Sequence, residues 1–282
     1  MRIATWNVNS LNIRMPRVIE WLDYAQPDVV CLQETKMNDG AFPAMEFATL
    51  GYESAHHGTG RWNGVAILSR CGLTDVAIGL PGKLDPMVAA EESLASVLAE
   101  PRMITATCGG IVVSSVYVPN GREVGADHYR AKLAWLEQLG RHLGESGGLS
   151  GSAVLAGDFN VAPADNDVWD IGHFEGATHV SGPEREALEG LMALGMVDAF
   201  RLIHAEDRLF SWWDYRAGAF HQHRGMRIDL MLVTKPVAER VSFALIDRQA
   251  RKGQQPSDHA PVFIDLAPGP ASVPDTSAQP IL

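Results

Sequence analysis

The sequence predicts an α/β (α+β) four-layer sandwich, in which two mixed β-sheets pack face to face and helices flank them. Short apolar segments typical of strands far outnumber helical segments. Several of them are apolar on both faces, as expected for strands that are covered on both sides. Strands and helices do not alternate strictly, which favours sheet packed on sheet over a barrel of βα units. A length of 282 residues suits one large domain or two small ones.

The predicted strands are apolar runs of four to eight residues rich in β-branched side chains. The pair Gly109-Gly110 separates two of these runs and therefore predicts a hairpin. The runs cover residues 3–8, 28–33, 64–69, 103–107, 111–118, 153–156, 228–233, 241–246 and 261–266.

Helical periodicity is weaker but present at residues 16–24 and at 129–143. A further helix is predicted after Ser181-Gly182-Pro183-Glu184, because this segment resembles a capping box with proline inside the first turn. Gly195 is its natural stop. Residues 267–282 are small and proline-rich, so we expect a disordered tail behind a single domain over residues 1–266.

Composition excludes several classes of protein. The chain has 23 Lys and Arg against 34 Asp and Glu, and its net charge of −11 argues against a protein that coats nucleic acid by bulk positive charge. No apolar run reaches the ~18 residues of a membrane span, and the first residues lack the apolar core of a signal peptide. We therefore expect a cytoplasmic protein without a membrane partner. Cys31, Cys71 and Cys108 form no CxxC pair, which disfavours a disulfide framework or a zinc site.

Acidic and amide side chains follow several predicted strands. Asn7, Glu34, Asp158, Asn160 and Asp258 offer hard oxygen ligands, which suit Mg²⁺ or Mn²⁺ rather than zinc. Taken singly, each is also typical of a turn at a strand end.

Asp229 is harder to explain as a turn residue, because it lies inside an apolar run. A buried carboxylate is costly unless it is paired. His259 is the natural partner, since a carboxylate fixes the tautomer of an imidazole and raises its pKa. A hard cation with a histidine and surplus carboxylates suits phosphoester hydrolysis: the cation polarises a phosphoryl oxygen, and a carboxylate takes a proton from water.

Seven segments in order along the chain resemble the exonuclease III family of apurinic/apyrimidinic (AP) endonucleases. Part of this pattern is shared by a wider superfamily of deoxyribonucleases, inositol polyphosphate phosphatases and sphingomyelinases. The forms Leu-Gln-Glu-Thr-Lys, Trp-Trp-Asp-Tyr and Arg-Gly-Met-Arg-Ile-Asp narrow the resemblance to the AP endonucleases. The segments are residues 3–10, 32–36, 117–121, 157–160, 210–215, 224–229 and 257–261.

The resemblance implies a role for each matching residue. Glu34 would bind the metal with Asn7 and Asp258 near it, and Asp158 would orient or deprotonate water. His259, held by Asp229, would stabilise the phosphorane-like transition state. The implied catalytic set is Tyr117, Asp158, Asn160, Asp229 and His259, and the implied metal set is Asn7, Glu34, Asp158, Asn160, Asp258 and His259.

The resemblance also implies a pocket for a flipped-out deoxyribose without a base, lined by Trp212, Met226 and Ile228. Such a pocket would reject a normal nucleotide by its bulk. The alternative is that these side chains belong to the ordinary core. Family members differ at the Met226 position, which leaves the strictness for abasic sites open. Arg122 either meets a phosphate or is a solvated loop arginine.

Three further features carry weaker interpretations. His221 and His223 are read as part of a surface loop near DNA rather than as a metal pair, because soft ligands are lacking nearby. His56-His57 is interpreted as loop. The segments 169–170 and 178–180 are expected to cap the DNA side of the site.

The function implied is a Mg²⁺-dependent DNA repair nuclease, with Mn²⁺ as a substitute. It would cut duplex DNA 5′ to abasic sites in base excision repair, clean blocked 3′ ends and act as a 3′→5′ exonuclease. We expect the protein to be a monomer. The alternatives are a small-phosphoester hydrolase of the same superfamily and a damage-binding module without catalysis. Residues 201–252 carry a net charge of +4, ten basic against six acidic side chains, so we expect DNA binding to be local and to involve few phosphates.

Overall fold

The computed structural model describes residues 1–81, 91–145 and 148–269. Its strands form two six-stranded sheets with the orders β11-β12-β1-β2-β4-β3 and β5-β6-β7-β8-β10-β9. The strands are β1 Arg2–Asn7, β2 Val29–Gln33, β3 Glu53–His57, β4 Val65–Ser69, β5 Thr74–Ile78, β6 Met103–Cys108, β7 Ile111–Tyr117, β8 Ala153–Asp158, β9 Met196–Asp198, β10 Asp229–Thr234, β11 Val241–Ile246 and β12 Val262–Leu266.

Both sheets are mixed. β1 pairs with β2 in parallel and with β12 antiparallel, while β7 and β8 are parallel and β8 and β10 antiparallel. The first and last strands of the described chain are thus neighbours at the middle of one sheet. Hydrogen bonds also cross between the sheets, where Gln33 Nε2 donates to Ser115 Oγ at 3.0 Å.

Helices lie outside this pair of sheets. Side chains of α1 share a buried apolar cluster with the outer faces of β1, β2 and β4, and α4 and α5 share another with β7, β8 and β10. A third cluster fills the space between the sheets. The helices are α1 Leu11–Ala25, α2 Ala44–Thr49, α3 Glu92–Leu98, α4 Asp127–Glu145, α5 Gly182–Ala193, α6 Ala199–Ile203 and α7 Lys235–Ala238.

The predicted four-layer sandwich is confirmed, and so is the hairpin of β6 and β7. β2, β4, β8 and β10 are buried along their whole lengths, as expected for strands covered on both faces. The interpretation of His56-His57 as loop is wrong, since both residues end the edge strand β3. His56 has a partner on each side, Thr35 Oγ1 and Asp39 Oδ1, each at 2.8 Å.

Three short strands at sheet edges were not predicted from the sequence. β5 is exposed along its length, β3 lies at a sheet edge, and β9 has three residues. Within the described ranges, no helix combines the length and the apolar character needed to cross a bilayer. Of the predicted tail, Ala267 is hydrogen-bonded to Arg240, and residues 270–282 lie outside the described ranges.

Candidate active site

The polar residues predicted from the sequence meet at one end of the two facing sheets. Parallel pairing of β1 and β2 brings Asn7 beside the end of β2, where Glu34 follows. In the other sheet the register places Tyr117 of β7 and Asp229 of β10 on either side of Asp158 of β8. Strand register alone therefore gathers these side chains.

A glycine makes the close approach of β7 and β8 possible. A Cβ atom on Gly157 would lie 1.9 Å from the Val116 carbonyl oxygen, which no side chain tolerates. The sequence Gly157-Asp158 is thus a packing requirement as well as a functional one, because it seats Asp158 directly against its neighbouring strand.

Asn7 links two carboxylates across the site. Its side-chain amide is fully buried and donates to Glu34 Oε1 and to Asp158 Oδ2, both at 2.9 Å. A side-chain amide holds two carboxylates close without neutralising either. The amide therefore adds no positive charge between the two carboxyl groups, an arrangement that suits a cation.

Asp229 and His259 form a buried pair. His259 Nδ1 lies 2.8 Å from Asp229 Oδ2, and its Nε2 lies 3.8 Å from Asp158 Oδ2. Burial lowers the pKa of His259, but the carboxylates of Asp229 and Asp158 outweigh it and raise the pKa to about 10. The imidazolium therefore presents Nε2–H toward Asp158 at neutral pH.

Asp158 is the most perturbed carboxyl of the site. Burial raises its pKa to about 7, against the charge of His259 and with the support of Asp229. A carboxylate with a pKa near neutrality is a competent general base at the working pH of most enzymes. The second oxygen of Asp229, Oδ1, is buried and has no hydrogen-bond partner among the described residues.

Asp258 belongs to a neighbouring polar network. Its Oδ1 accepts from Asn9 Nδ2 at 3.0 Å and its Oδ2 from Trp212 Nε1 at 3.1 Å. Lys36 donates to Asn9 Oδ1 and lies 2.9 Å from Glu34 Oε2. Asn9 and Lys36 thus join Asp258 to Glu34. Neither residue was predicted from the sequence to have a role in the site.

Asn160 contacts Asp158 through its backbone. The Asn160 amide donates to Asp158 Oδ1 at 2.9 Å, whereas its side chain donates to the Val118 carbonyl and accepts from Asn120 Nδ2 at 3.1 Å. Its φ of 51° is left-handed, a conformation that asparagine tolerates better than most residues. The side chain of Asn160 therefore ties together the loops that follow β7 and β8.

Tyr117 closes the site on the side of β7. Its ring is buried under the Arg102 guanidinium, which lies 4.6 Å from the ring centroid. Burial and the nearby Glu34 carboxylate raise the pKa of the Tyr117 phenol well above its usual value. The hydroxyl is therefore a hydrogen-bond donor at neutral pH.

The four proposed substrate contacts lie at different depths. Met226 and Ile228 are each 2% exposed and pack in a small apolar cluster with Trp212, whose ring is half-buried. Backbone bridges join Trp212 to Met226 and to His259, so the cluster adjoins the site. Arg122 is exposed in the loop after β7.

A buried ion pair that sequence reasoning missed supports these loops. Lys132 of α4 and Glu184 of α5 are fully buried and hydrogen-bonded, and Lys132 Nζ donates to the Asn160 carbonyl at 2.6 Å. Glu184 also accepts from Thr178 Oγ1 and the His179 amide. The available signal was a lysine on the apolar face of a predicted helix.

His179 lies in the same loop as Thr178, and no contact could be assigned to it from the sequence alone. Its Nδ1 contacts the Asn160 carbonyl. Burial and the neighbouring Lys132 lower the pKa of His179 to about 4, so its imidazole is neutral. His221 is exposed and His223 Nε2 contacts the Arg208 carbonyl, which fits a surface loop.

The donor set fits a divalent cation. Atoms of Asp158, Asp229 and His259 lie within 4.8 Å of one another, and Asn7 adds Glu34 to this group. The charge of these carboxylates exceeds that of Lys36 and His259, and oxygen donors dominate. Within residues 1–81, 91–145 and 148–269, the buried Oδ1 of Asp229 has no hydrogen-bond partner. These are the properties of a site for a hard ion.

Comparison with known proteins agrees with this geometry. Residues 4–259 match the model of the Endonuclease/Exonuclease/phosphatase family. Exodeoxyribonuclease III of Haemophilus influenzae is 31% identical over 280 residues, which cover 94% of this chain and 100% of that protein.

Two solved structures share the fold over almost their whole length. An AP endonuclease from Archaeoglobus fulgidus is 36% identical with a TM-score of 0.87 over 94% of this chain and 99% of its own. A 3′ phosphatase from Neisseria, bound to product DNA hairpin, is 35% identical with a TM-score of 0.86 over the same shares. By its sequence match, its fold and the arrangement of its buried carboxylates, the chain belongs to the Endonuclease/Exonuclease/phosphatase family.

Proposed function

We propose that this chain is a divalent-cation-dependent DNA repair nuclease that cuts duplex DNA 5′ to abasic sites and removes blocking groups and nucleotides from 3′ ends. The observation that carries the proposal is the buried cluster of Asp158, His259 and Asp229 beside Glu34. Relatives that match the chain over nearly its full length are an exodeoxyribonuclease III, an AP endonuclease and a 3′ phosphatase.

The chemistry divides among these residues. Asp158 takes the proton of the attacking water, since its raised pKa and its buried position beside His259 suit a general base. The His259 imidazolium, held by Asp229, donates a hydrogen bond from Nε2 to a phosphoryl oxygen as negative charge develops there. Tyr117, whose phenol stays protonated, donates a second.

Glu34, Asn7 and Asp258 would hold the cation, with Asp158, Asn160 and His259 bordering it. Mg²⁺ is the expected ion and Mn²⁺ its substitute. The bound ion supplies neutralisation of charge on the phosphate and on the leaving oxygen. Lys36, 2.9 Å from Glu34, adds a fixed positive charge on the same side.

Further proposals concern the setting of the reaction. The substrate is duplex DNA with an abasic site or a blocked 3′ end, held in part by Arg122, Trp212, Met226 and Ile228. We also propose a monomeric cytoplasmic enzyme of base excision repair, with one catalytic domain over residues 1–266.

The decisive experiment is incision of a duplex that carries one tetrahydrofuran site, run beside a duplex with a 3′-phosphate. We expect both reactions with Mg²⁺ and neither with EDTA. Purified protein that cuts neither duplex under conditions where a control nuclease is active would overturn the proposal. Undamaged duplex should compete with these substrates, whereas a hydrolase of small phosphoesters would be insensitive to DNA.

A further inference from the structure

A cavity of about 260 Å³ lies beside the site and has no role in the chemistry above. One of its walls is Trp212, whose indole Nε1 donates to Asp258 Oδ2. The remaining lining combines aromatic and cationic side chains with one carboxylate, Asp214, and two alanines. The aromatic and cationic residues are Trp169, His173, Phe174, Arg216 and Arg224.

The aromatic wall is a packed set of rings. The Trp169 ring centroid lies 5.0 Å from that of His173 and 6.5 Å from that of Phe174, the latter at an angle of 81°. The Trp169 amide donates to the Gly225 carbonyl at 3.0 Å. This hydrogen bond holds the Trp169 segment against the residues that precede β10. Trp169 is half-buried, so part of its surface remains accessible to a ligand.

Cations border the same cavity. The Arg224 guanidinium lies 5.6 Å from the Trp169 ring centroid and donates to the Ala217 carbonyl. Arg224 Nε is buried, and no atom of the described residues accepts a hydrogen bond from it. Arg216 extends into solvent with Asp214 as its ion-pair partner. Aromatic rings beside guanidinium groups suit a planar heteroaromatic ligand attached to phosphates.

The neighbouring apolar cluster differs from this cavity. Met226 and Ile228 are 2% exposed and offer a ligand only a small surface, whereas the cavity on the Trp169 side of Trp212 is open. A sugar without a base has no aromatic ring to stack on an indole. A nucleobase has one, and every base offers such a face.

We propose that this cavity binds the unpaired nucleobase of the 3′-terminal nucleotide, stacked on Trp169, when the enzyme removes nucleotides from 3′ ends. This inference rests on the proposed function and names the part of its substrate that enters here. The sugar and phosphate of such a nucleotide extend past Trp212 toward Asp258. The cavity then makes the enzyme sensitive to whether the terminal residue carries a base.

The test compares two duplexes that differ only in their 3′-terminal residue, an unpaired nucleotide in one and a tetrahydrofuran residue in the other. Removal of either breaks the same kind of phosphodiester bond, so the ratio of the two kcat/KM values isolates the base. We expect Trp169→Ala to lower this ratio about tenfold, mainly through KM, as the loss of one stacked base predicts.

Additional variants keep the test independent of folding. Trp169→Phe retains an aromatic face and should restore most of the ratio. His173→Ala changes an exposed side chain and should lower it in the same direction by a smaller factor. Tyr24→Ala, a 73% exposed aromatic at the far end of α1, is the matched control and should leave the ratio unchanged. A 3′-terminal 2-aminopurine should lose fluorescence on binding to the wild type and lose less with Trp169→Ala.

The outcomes distinguish a failure of the proposed function from a failure of base binding in the cavity. If wild type removes both terminal residues and Trp169→Ala, folded by circular dichroism, keeps the wild-type ratio, the inference is overturned and the proposed function stands. If wild type removes neither residue while a control nuclease does, both fall.

Discussion

Two buried groups of charges in this protein are built on opposite principles. Around Asp167, every carboxylate oxygen is paired: Arg227 Nε and a terminal nitrogen donate at 2.6 and 3.1 Å, and Arg201 adds a further ion pair. Around Asp158, negative groups outnumber cations, and one oxygen of Asp229 finds no hydrogen-bond partner in the described part of the chain. The first group is complete in itself, whereas the second is left short of positive charge.

The two carboxyl groups respond in opposite directions. Burial raises the pKa of Asp167, but the Arg227 guanidinium more than offsets it and the net pKa is lowered. At Asp158 burial wins, and the pKa rises to about 7. Equal burial thus gives a structural ion pair in one place and a reactive carboxyl in the other, and the difference lies in the number of cations supplied.

The largest expected effect is a loss of catalysis when the group around Asp158 is changed. Asp158→Asn removes the proposed base and should lower the rate of tetrahydrofuran-site incision about a thousandfold, while the free energy of unfolding stays the same or rises. The exposed Asp165→Asn is the matched control and should retain activity. An Asp158→Asn protein with wild-type turnover would show that the base lies elsewhere.

Substitutions in the group around Asp167 should lower the stability of the fold instead. Arg227→Met leaves Asp167 and Asp198 without their shared partner, and breaking a buried pair costs about 3 to 5 kcal/mol. Urea unfolding measures this loss. Arg130→Met, which breaks an exposed pair with Glu91, should change the unfolding free energy by less than about 1 kcal/mol. Similar losses for the two variants would contradict the contrast between buried and exposed pairs.

Divalent cations should supply the positive charge that the group around Asp158 lacks, and should thereby stabilise the folded state. Mg²⁺ at about one hundred times its dissociation constant stabilises the folded state by about 2.7 kcal/mol, and thermal unfolding with and without EDTA measures this. Glu34→Gln should reduce the stabilisation. The exposed Glu46→Gln should respond as wild type does. Stabilisation that is equal in all three proteins would place the ion elsewhere.

The smallest expected effect, counted per pH unit, is on the pH dependence of stability without divalent cations. Since the folded pKa of Asp158 is raised, its contribution favours folding below about pH 4 and is lost as pH rises toward 7, by at most about 1.4 kcal/mol per pH unit. Asp167 has the opposite sign, because its lowered pKa gives stability that is present above its unfolded pKa and lost as pH falls.

Asp158→Asn should therefore flatten the stability curve between about pH 4 and 7, and Asp167→Asn should flatten it below about pH 4. Urea titrations across this range provide the measurement. A wild-type slope in Asp158→Asn would mean that Asp158 is not the group that burial perturbs.

The sequence was informative where one residue type has few structural uses. Asp229 inside an apolar run and amide residues after β1 and β8 could be found because a buried carboxylate needs a partner. β5 could not be found in this way, because an exposed edge strand has no buried face that would require an apolar pattern. The support of Asn160 by Lys132 and Glu184 escaped for another reason: the three residues meet only when α4, α5 and the loop after β8 pack together. Asp258 was found, but its link to Glu34 through Asn9 and Lys36 depends on side-chain geometry.

The central position of β1 between β12 and β2 has a consequence for biosynthesis. Asn7 leaves the ribosome about 250 residues before Asp258 and His259. Most of the fold's strands are made before β12 can take its place beside β1. A nascent or truncated chain therefore lacks both the imidazole and one carboxylate of the cluster, so nucleolytic activity is expected to appear only after the two ends of the fold have met.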